Sequence, residues 1–539
     1  MARKTRQVRL GLVIMLTAYL SAAFIVLTRP GSVLSGDQRV AIRIAHWQIE
    51  AGPPEAMDAL IKRYEELNPH VRVEQVAVPG NVYKQWLRTQ LIGGNSADLI
   101  EFGSFIGGVN DIPPRFFDPI SAYVEEPNPY NQGTSLEGVR WRDTFGDGLN
   151  SPDTYIENLS NYYAVTLCMV TARLFYNPEL LRELSGSAIP PDTFSDLLAL
   201  GDKLAVRNAA KDEKISLMAG SQFNGMLLMY PLLSRSGMDV SMDLDRFRLL
   251  GADSREAGVE YLRGNWDYHR PELLNGLELI REMSKYLRPG FRQLDRDAAV
   301  QEFLRGRALM IMTGTWDATS LRSLAPFEVG VTKFPYPTQA DGKYGHYAWS
   351  PFSEGAGGGA MAFYLNKSSQ HKAEAIDFLR FITSIEGSTI FVQKSGWLPA
   401  TRDVVVPDYA QIYLPDFEGY QMRTDYMRGF GSETRDVWEQ QLYHLISPHG
   451  GVDEFLHAMA PDFPAAIERD VRMDVRNVYL SLRRDLSPLT ALTVLERLEG
   501  HDPERLRSRE EREGSQNLSE ARLYEAAAAL DHGHALAAP

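Results

Sequence analysis

Aromatic and small polar residues stand at the ends of three predicted strands. They are, in chain order, Trp47, Gln48 and Glu50, then Phe102, Gly103 and Ser104, and finally Trp316 and Asp317. In open α/β sheets, ligands bind at the carboxyl ends of the strands. An aromatic ring covers the apolar C–H face of a sugar, while amide, hydroxyl and carboxylate groups pair with its hydroxyls. Any one of these rings is equally explained as a core residue, but their repetition predicts carbohydrate recognition.

A glycine-rich stretch at 354–369, EGAGGGAMAFYLNKSS, raises the alternative of a nucleotide site. A phosphate-binding loop needs its glycines after a strand and before a helix, so that helix N–H groups face the phosphate. Here the glycines precede the predicted strand, and no GxxxxGK[ST] motif is present. The stretch is therefore not a nucleotide loop.

Other catalytic and metal-binding motifs are absent from the sequence. There is no HExxH zinc motif and no GxSxG nucleophile elbow. The acidic residues Asp143, Asp147 and Asp153 lack the spacing of a calcium-binding EF-hand loop. We therefore expect a protein without cofactor, metal or catalytic residues.

The elements that must position the strand-end residues alternate between strands and helices. RVAIRIAHW predicts a strand, PPEAMDALIKRYEELNP an amphipathic helix, VRVEQVAV a strand, NVYKQWLRTQLIGG a helix and ADLIEFG a third strand. This order predicts a parallel α/β sheet. Farther along, Thr193 is the predicted N-cap of a helix, and Gly306 ends another helix before a strand at 308–312. Residues 105–160 predict a loop-rich connection.

Composition limits the partners and the compartment. The 539 residues are enough for two or more domains, and 56 basic against 70 acidic residues give a net charge of −14. This net charge argues against nucleic acid as a main partner, because its recognition needs a basic face. Cys168 is the only cysteine, so no disulfide can form within the chain.

The N-terminus predicts export from the cytoplasm. Four basic residues precede an uncharged apolar run of 18 residues at 10–27. This run is either a signal peptide or a transmembrane anchor: its length favours the anchor, whereas Val33 and Ser35 could form a weak cleavage pair. In both cases the bulk of the chain lies outside the cytoplasm. No cysteine follows the run, which excludes a lipoprotein anchor.

Five segments in a fixed order resemble the extracellular solute-binding proteins of ABC importers, family 1, the maltose-binding-protein-like group. They lie between about residues 40 and 465 and read IRIAHW…MDALIKRYEELNPHVRVE, LRTQLIGGNSADLIEFG, LFYNPELLRE…PPDTFSDLLALGDKL, FLRGRALMIMTGTWDATSLR and GAGGGAMAFYLNKSSQHKAEAIDFLRFITSIEGS…GWLPATRDV. Phe194 stands where the family pattern has a tryptophan, and VTLCMVT before LFYN also departs from that pattern.

The resemblance implies an α/β fold of the two-lobe periplasmic-binding-protein type (Venus flytrap, type II), with a ligand cleft between the lobes. One lobe would comprise 40–165 and 358–396, and the other 166–357 and 397–465. Residues 1–39 would form the signal peptide or anchor with its spacer. Residues 466–539 would form an appended helical extension.

The resemblance also implies a function and a set of ligand contacts. The protein would capture a sugar or oligosaccharide, as a monomer, and deliver it to the transmembrane subunits of an ABC permease without breaking a bond. To the strand-end residues named above, the resemblance adds ligand contacts at Asn224, Gly225, Gly314, Gly357, Gly358 and Gly359.

Two other functions stay open at this point. The first is a membrane-tethered carbohydrate sensor or scaffold that uses the same fold without transport. The second is a carbohydrate-active enzyme, which needs a pair of carboxylates flanking the scissile bond. No such pair stands out in the sequence.

Overall fold

The computed structural model describes residues 39–103, 106, 112–156, 161–246, 248, 251–354, 359–420, 424–500 and 502–537. None of the helices in these ranges is both long enough and apolar enough to span a membrane. The predicted membrane segment at 10–27 lies outside the described residues, so the choice between signal peptide and anchor stays a prediction.

The strands form two sheets and one small hairpin. In chain order the strands are β1 Val40–His46, β2 Val71–Ala77, β3 Leu99–Glu101, β4 Phe117–Asp118, β5 Tyr155–Ile156, β6 Asn161–Tyr162, β7 Ala164–Met169, β8 Ala172–Tyr176, β9 Ser216–Ala219, β10 Ala308–Gly314, β11 Gly330–Thr332, β12 Gly359–Asn366 and β13 Leu398–Pro399. Sheet 1 has the order β13-β7-β12-β3-β1-β2, with β4 beside β12, and sheet 2 has the order β11-β8-β10-β9. The hairpin pairs β5 with β6.

Helices pack around the two sheets. They are α1 Pro53–Leu67, α2 Gly80–Gly93, α3 Ile112–Phe116, α4 Ser121–Val124, α5 Pro178–Ser185, α6 Phe194–Ala210, α7 Gln222–Ser236, α8 Met238–Leu244, α9 Ser254–Leu262, α10 Pro271–Ser284, α11 Arg296–Leu304, α12 Ala318–Leu324, α13 Lys372–Ile382, α14 Ile385–Ser395, α15 Ser432–Ile446, α16 Val452–Met459, α17 Phe463–Glu499 and α18 Pro503–Ala537.

The first strands are parallel, as predicted, because each is separated from the next by a helix. β1 pairs in parallel with both β2 and β3. Strands that join sheet 1 later in the chain run antiparallel: β12 pairs with β3 and β7, and β13 with β7. The sheet is therefore mixed, and the carboxyl ends of β1 and β3 lie side by side at one edge.

Predicted local signals are confirmed where they depend on short-range chemistry. The Thr193 side chain accepts a hydrogen bond from the Asp196 N–H and caps α6. Gly306 adopts a φ of 69°, a left-handed conformation that glycine reaches without a Cβ clash, and α11 ends just before it. The connection at 105–160 contains only the short helices α3 and α4, 3-10 turns and short strands in its described part.

The sheet to which each strand belongs shows where the chain passes from one sheet to the other. The predicted lobe boundary between 165 and 166 falls inside β7, and sheet 1 gives way to sheet 2 between Met169 and Ala172. On the last passage, β13 still belongs to sheet 1, so the chain leaves that sheet after Pro399. The exact extent of each lobe stays a prediction.

The predicted C-terminal helical extension is present as the hairpin of α17 and α18, beginning at Phe463 rather than at 466. Its base is part of the core around sheet 2. Phe463, Ile467 and Val471 are buried, and the Phe463 ring lies 6.0 Å from that of Tyr261. The hairpin is therefore built onto the sheet 2 side of the molecule.

Candidate functional site

The loop after β1 carries three of the predicted ligand residues. Trp47 is half-buried and packs edge-on against Tyr83 of α2, with ring centroids 5.2 Å apart. The Gln48 side chain is buried, and that of Glu50 is half-buried. The carboxyl end of β1 therefore presents an aromatic ring, an amide and a carboxylate in one short segment.

A buried acid at the end of β3 holds this loop. Glu101 is 0% exposed; its Oε2 accepts a hydrogen bond from the Trp47 N–H at 3.0 Å, and its Oε1 accepts one from the Gln48 amide at 2.6 Å. Burial raises the pKa of the Glu101 carboxyl to about 8, against the lowering effect of these two hydrogen bonds. Glu101 was not among the predicted site residues, although a charged residue at the end of the apolar strand β3 is a visible signal in the sequence.

The turn after β10 forms the opposite side of the site. A Cβ on Gly314 would overlap the Trp316 ring, so the glycine allows the indole to lie against the end of the strand. The Trp316 ring packs against Phe223, with centroids 5.9 Å apart. Asp317 is buried and accepts a hydrogen bond from the Thr313 hydroxyl at 2.6 Å. Burial raises the pKa of the Asp317 carboxyl, and the Arg296 charge opposes that rise.

Arg296, the first residue of α11, joins the two sides. Its Nη2 lies 2.5 Å from Glu50 Oε1 and 3.6 Å from Asp317 Oδ1. Burial disfavours the charge of the guanidinium, but Asp317 and Glu50 outweigh burial and raise the pKa of Arg296. No local pattern distinguishes Arg296 from other arginines near helix starts, because only the fold brings α11 against the loop after β1.

Three predicted ligand residues are occupied in packing. Phe102 is fully buried in a core of aromatic rings, with its centroid 5.1 Å from that of Tyr364. The Asn224 side chain accepts a hydrogen bond from Ser221 Oγ at 2.6 Å and donates one to the Met312 carbonyl at 2.8 Å. A Cβ on Gly225 would overlap the Phe291 ring. Their ligand contacts stay predictions, and each residue has a structural role.

The remaining glycines adjoin polar side chains near the strand ends. A Cβ on Gly103 would lie 2.9 Å from a carboxylate oxygen of Asp153, and one on Gly359 would lie 3.0 Å from the Thr166 methyl group. Gly359 begins β12, so the glycine cluster does precede its strand. The other predicted contacts at Ser104, Gly357 and Gly358 lie outside the described residues.

The site carries more negative than positive charge. Its two carboxylates, Glu50 and Asp317, surround the single guanidinium of Arg296. Within the described ranges, no group of three or more His, Cys, Asp or Glu side chains is arranged to hold a metal ion. The arrangement offers rings, hydrogen-bond donors and acceptors, and it suits a neutral polar ligand better than an anion.

The comparison with protein families decides the family of the chain. The model of the bacterial extracellular solute-binding proteins matches residues 50–388, well over half of the chain. The chain belongs to this family. The match begins at Glu50 and extends through the turn after β10, so it contains Glu50, Arg296 and Asp317, whereas Trp47 and Gln48 precede it.

Relatives of this solute-binding protein include binding proteins of several organisms. The chain is 22% identical over 401 residues to a binding protein of Brucella abortus (73% of this chain, 83% of the relative). It is 21% identical over 387 residues to UgpB of Escherichia coli K12, the sn-glycerol-3-phosphate-binding periplasmic protein (69% of this chain, 77% of the relative).

Solved structures show the same two-lobe fold. RafE in complex with raffinose has a TM-score of 0.54 at 16% identity, covering 79% of this chain and 100% of RafE. The GacH receptor of Streptomyces glaucescens, solved unliganded and with acarbose, has a TM-score of 0.54 at 17% identity, covering 80% of this chain and 99% of GacH. At these identities the likeness establishes the fold alone.

Proposed function

We propose that this solute-binding protein captures a neutral sugar or oligosaccharide between its lobes and delivers it to the permease of an ABC importer. One observation carries the proposal: Arg296 joins the loop after β1 to the turn after β10, so aromatic and polar groups from both sides surround one site. A ligand that contacts both sides favours the closed arrangement of the lobes, since it gains contacts there that an open cleft lacks.

The residue types favour a carbohydrate. Trp47 and Trp316 are both half-buried, which leaves part of each ring available to a ligand, and each is followed within three residues by a carboxylate. A ring covers the C–H face of a pyranose, and carboxylates are strong acceptors for its hydroxyl groups. Raffinose and acarbose in the structures of RafE and GacH are ligands of this kind.

The charges favour a neutral ligand over a phosphate ester. UgpB is named for sn-glycerol-3-phosphate, whose phosphate group needs an excess of positive charge or unpaired N–H donors. Arg296 is engaged by Glu50 and Asp317, which leaves no surplus positive charge among these three groups. We therefore expect sugars to bind and sn-glycerol-3-phosphate not to bind.

Thermal-shift screening tests the proposal. A ligand that binds only the folded protein raises the melting temperature by mass action. The panel contains raffinose, acarbose, chitin oligosaccharides and sn-glycerol-3-phosphate, each with wild type and with Trp316→Ala. We expect a shift with at least one sugar in wild type and a much smaller shift in the variant. The absence of a shift with every sugar would refute the proposal.

The sensor or scaffold hypothesis is not favoured, because the family match points to solute capture. Transport requires a permease, so reconstitution with the cognate ABC permease should show sugar-dependent ATP hydrolysis if the proposal holds. The relatives are named as binding proteins, and we assign no catalytic residues. Product release from a glycan panel during prolonged incubation would contradict a binding-only role.

A further inference from the structure

Glu101 is a buried acid that the proposed ligand contacts do not use. It ends β3, where its backbone is paired with Phe363 of β12. The Tyr83 hydroxyl donates a hydrogen bond to its backbone carbonyl at 2.8 Å. Its side chain is 0% exposed and points at the backbone of the loop after β1. The carboxyl group therefore lies directly beneath the segment that carries Trp47, Gln48 and Glu50.

The hydrogen-bond partners of this carboxyl group are uncharged. They are the Trp47 N–H at 3.0 Å and the Gln48 side-chain amide at 2.6 Å. Together they fix where the loop leaves β1, because one bond holds its backbone and the other its first buried side chain. Both N–H donors favour the ionised carboxyl group, but neither carries a charge, so burial of the ion stays costly and a proton on the group removes that cost.

The titratable groups around Glu101 do not supply a compensating positive charge. Glu50 in the same loop adds a like charge that raises the pKa of Glu101 further, beyond the effect of burial. The Tyr83 hydroxyl on α2 and the Cys168 thiol on β7 have pKa values raised by burial and by the Glu101 charge, so both are neutral at pH 7. Burial lowers the pKa of His46 at the end of β1. The carboxyl group titrates near pH 8.

We propose that Glu101 is a positioning residue for the ligand site, and that a proton on its buried carboxyl group keeps the loop after β1 in its binding position. The proposal rests on the proposed function only in naming that loop as part of the sugar site. When the proton leaves, the carboxylate gains solvation if the loop moves aside and water enters. Ionisation therefore favours a displaced loop, and we expect weaker sugar binding above about pH 8.

The loop can be followed without a ligand through the fluorescence of Trp47. The chain contains 8 tryptophans, so the signal is the difference between wild type and Trp47→Phe, recorded from pH 6 to pH 10. We expect a one-proton transition with a midpoint at about pH 8. Glu101→Gln should abolish it, since the amide cannot ionise. Glu74→Gln, at an exposed carboxylate on β2 of the same sheet, is the matched control and should keep it.

The outcomes separate this inference from the proposed function. A flat wild-type signal, or a transition that persists in Glu101→Gln, overturns the positioning role. If Glu101→Gln does not fold, the wild-type titration and a displaced midpoint in Glu101→Asp decide instead. In a second arm, raffinose affinity is measured against pH, and a Kd rise of at most about tenfold per pH unit is expected above the midpoint. A loop transition without binding of any sugar in the panel refutes the proposed function alone.

Discussion

Arg173 offers the sharpest test of what holds the crossover segments, which are the parts of the chain around Glu354 and residues 412–414 that lie outside the two sheets. Its guanidinium, in β8, is 0% exposed and donates to both carboxylate oxygens of Glu354, at 2.7 and 3.1 Å. It also donates to the carbonyl groups of Ile412 at 2.8 Å and Leu414 at 2.7 Å. One side chain therefore ties β8 both to Glu354, which precedes β12 in the chain, and to residues 412–414, which follow β13.

Replacing Arg173 with methionine keeps the apolar stem and removes every one of these donors. Losing one partner of a buried ion pair costs about 3–5 kcal/mol. The Glu354 side chain is 32% exposed, so water can solvate its carboxylate and offset part of the cost of losing Arg173. The carbonyl groups have less access to water, and each unsatisfied one adds about 1 kcal/mol or more. We therefore expect Arg173→Met to lower the free energy of unfolding by about 3 kcal/mol.

Urea unfolding followed by circular dichroism measures this difference, with the slopes compared to check that the transition stays cooperative. Arg173→Lys retains the charge but cannot reach all of the acceptors, so its loss should be intermediate. Glu354→Gln removes only the partly exposed charge and should cost least. A loss below about 1 kcal/mol in Arg173→Met would show that the network does not hold the crossover segments, and equal losses in all three variants would assign the effect to the ion pair alone.

Three further predictions concern the ligand, pH and the C-terminal hairpin. Trp316→Ala should weaken sugar binding at least about tenfold, the loss of roughly one ring contact. It should also lower the ligand-free melting temperature, because the ring packs on Phe223; unchanged affinity by calorimetry would remove Trp316 from the site. The folded state holds the Glu101 proton up to about pH 8, whereas an ordinary glutamate has a pKa of 4.5. Between these two pH values the free energy of unfolding should therefore fall as pH rises, by up to about 1.4 kcal/mol per pH unit. Glu101→Gln should flatten that slope. Deleting 463–539 removes the buried Phe463, Ile467 and Val471, each worth about 2 kcal/mol, so the truncated protein should melt earlier; an unchanged melting temperature would mean that the hairpin adds no stability.

Much of the secondary structure was predictable because it depends on short-range patterns. The alternation of strands and helices at the N-terminus, the Thr193 cap and the break at Gly306 each follow from a few neighbouring residues. The parallel pairing of β1 with β2 and β3 also follows, since a helix between two strands leads to parallel pairing. In contrast, β12 is distant from β3 in sequence, and no local pattern predicts that it pairs with β3 in the antiparallel direction.

The structure brings some of the predicted site positions together, and their ligand contacts stay predictions. Glu50 and Asp317 meet at one guanidinium, as strand-end residues of facing lobes would. Phe102 was selected by the same rule, yet its ring turns into the aromatic core beside Tyr364. A strand-end position specifies where a residue lies but not which way its side chain points, because that depends on the space left by neighbouring elements.

The sequence by itself determined the family, the sheet-forming segments and the excess of carboxylates that argues against nucleic acid. These properties follow from local sequence patterns and from the counts of acidic and basic residues, which do not depend on how the chain folds. Only the tertiary structure decided that Arg296 joins Asp317 to Glu50, which precedes Arg296 by 246 residues, and that Glu101 lies without charge compensation beneath the loop of Glu50. Both depend on burial and on distances between remote segments, and those exist only after the chain has folded.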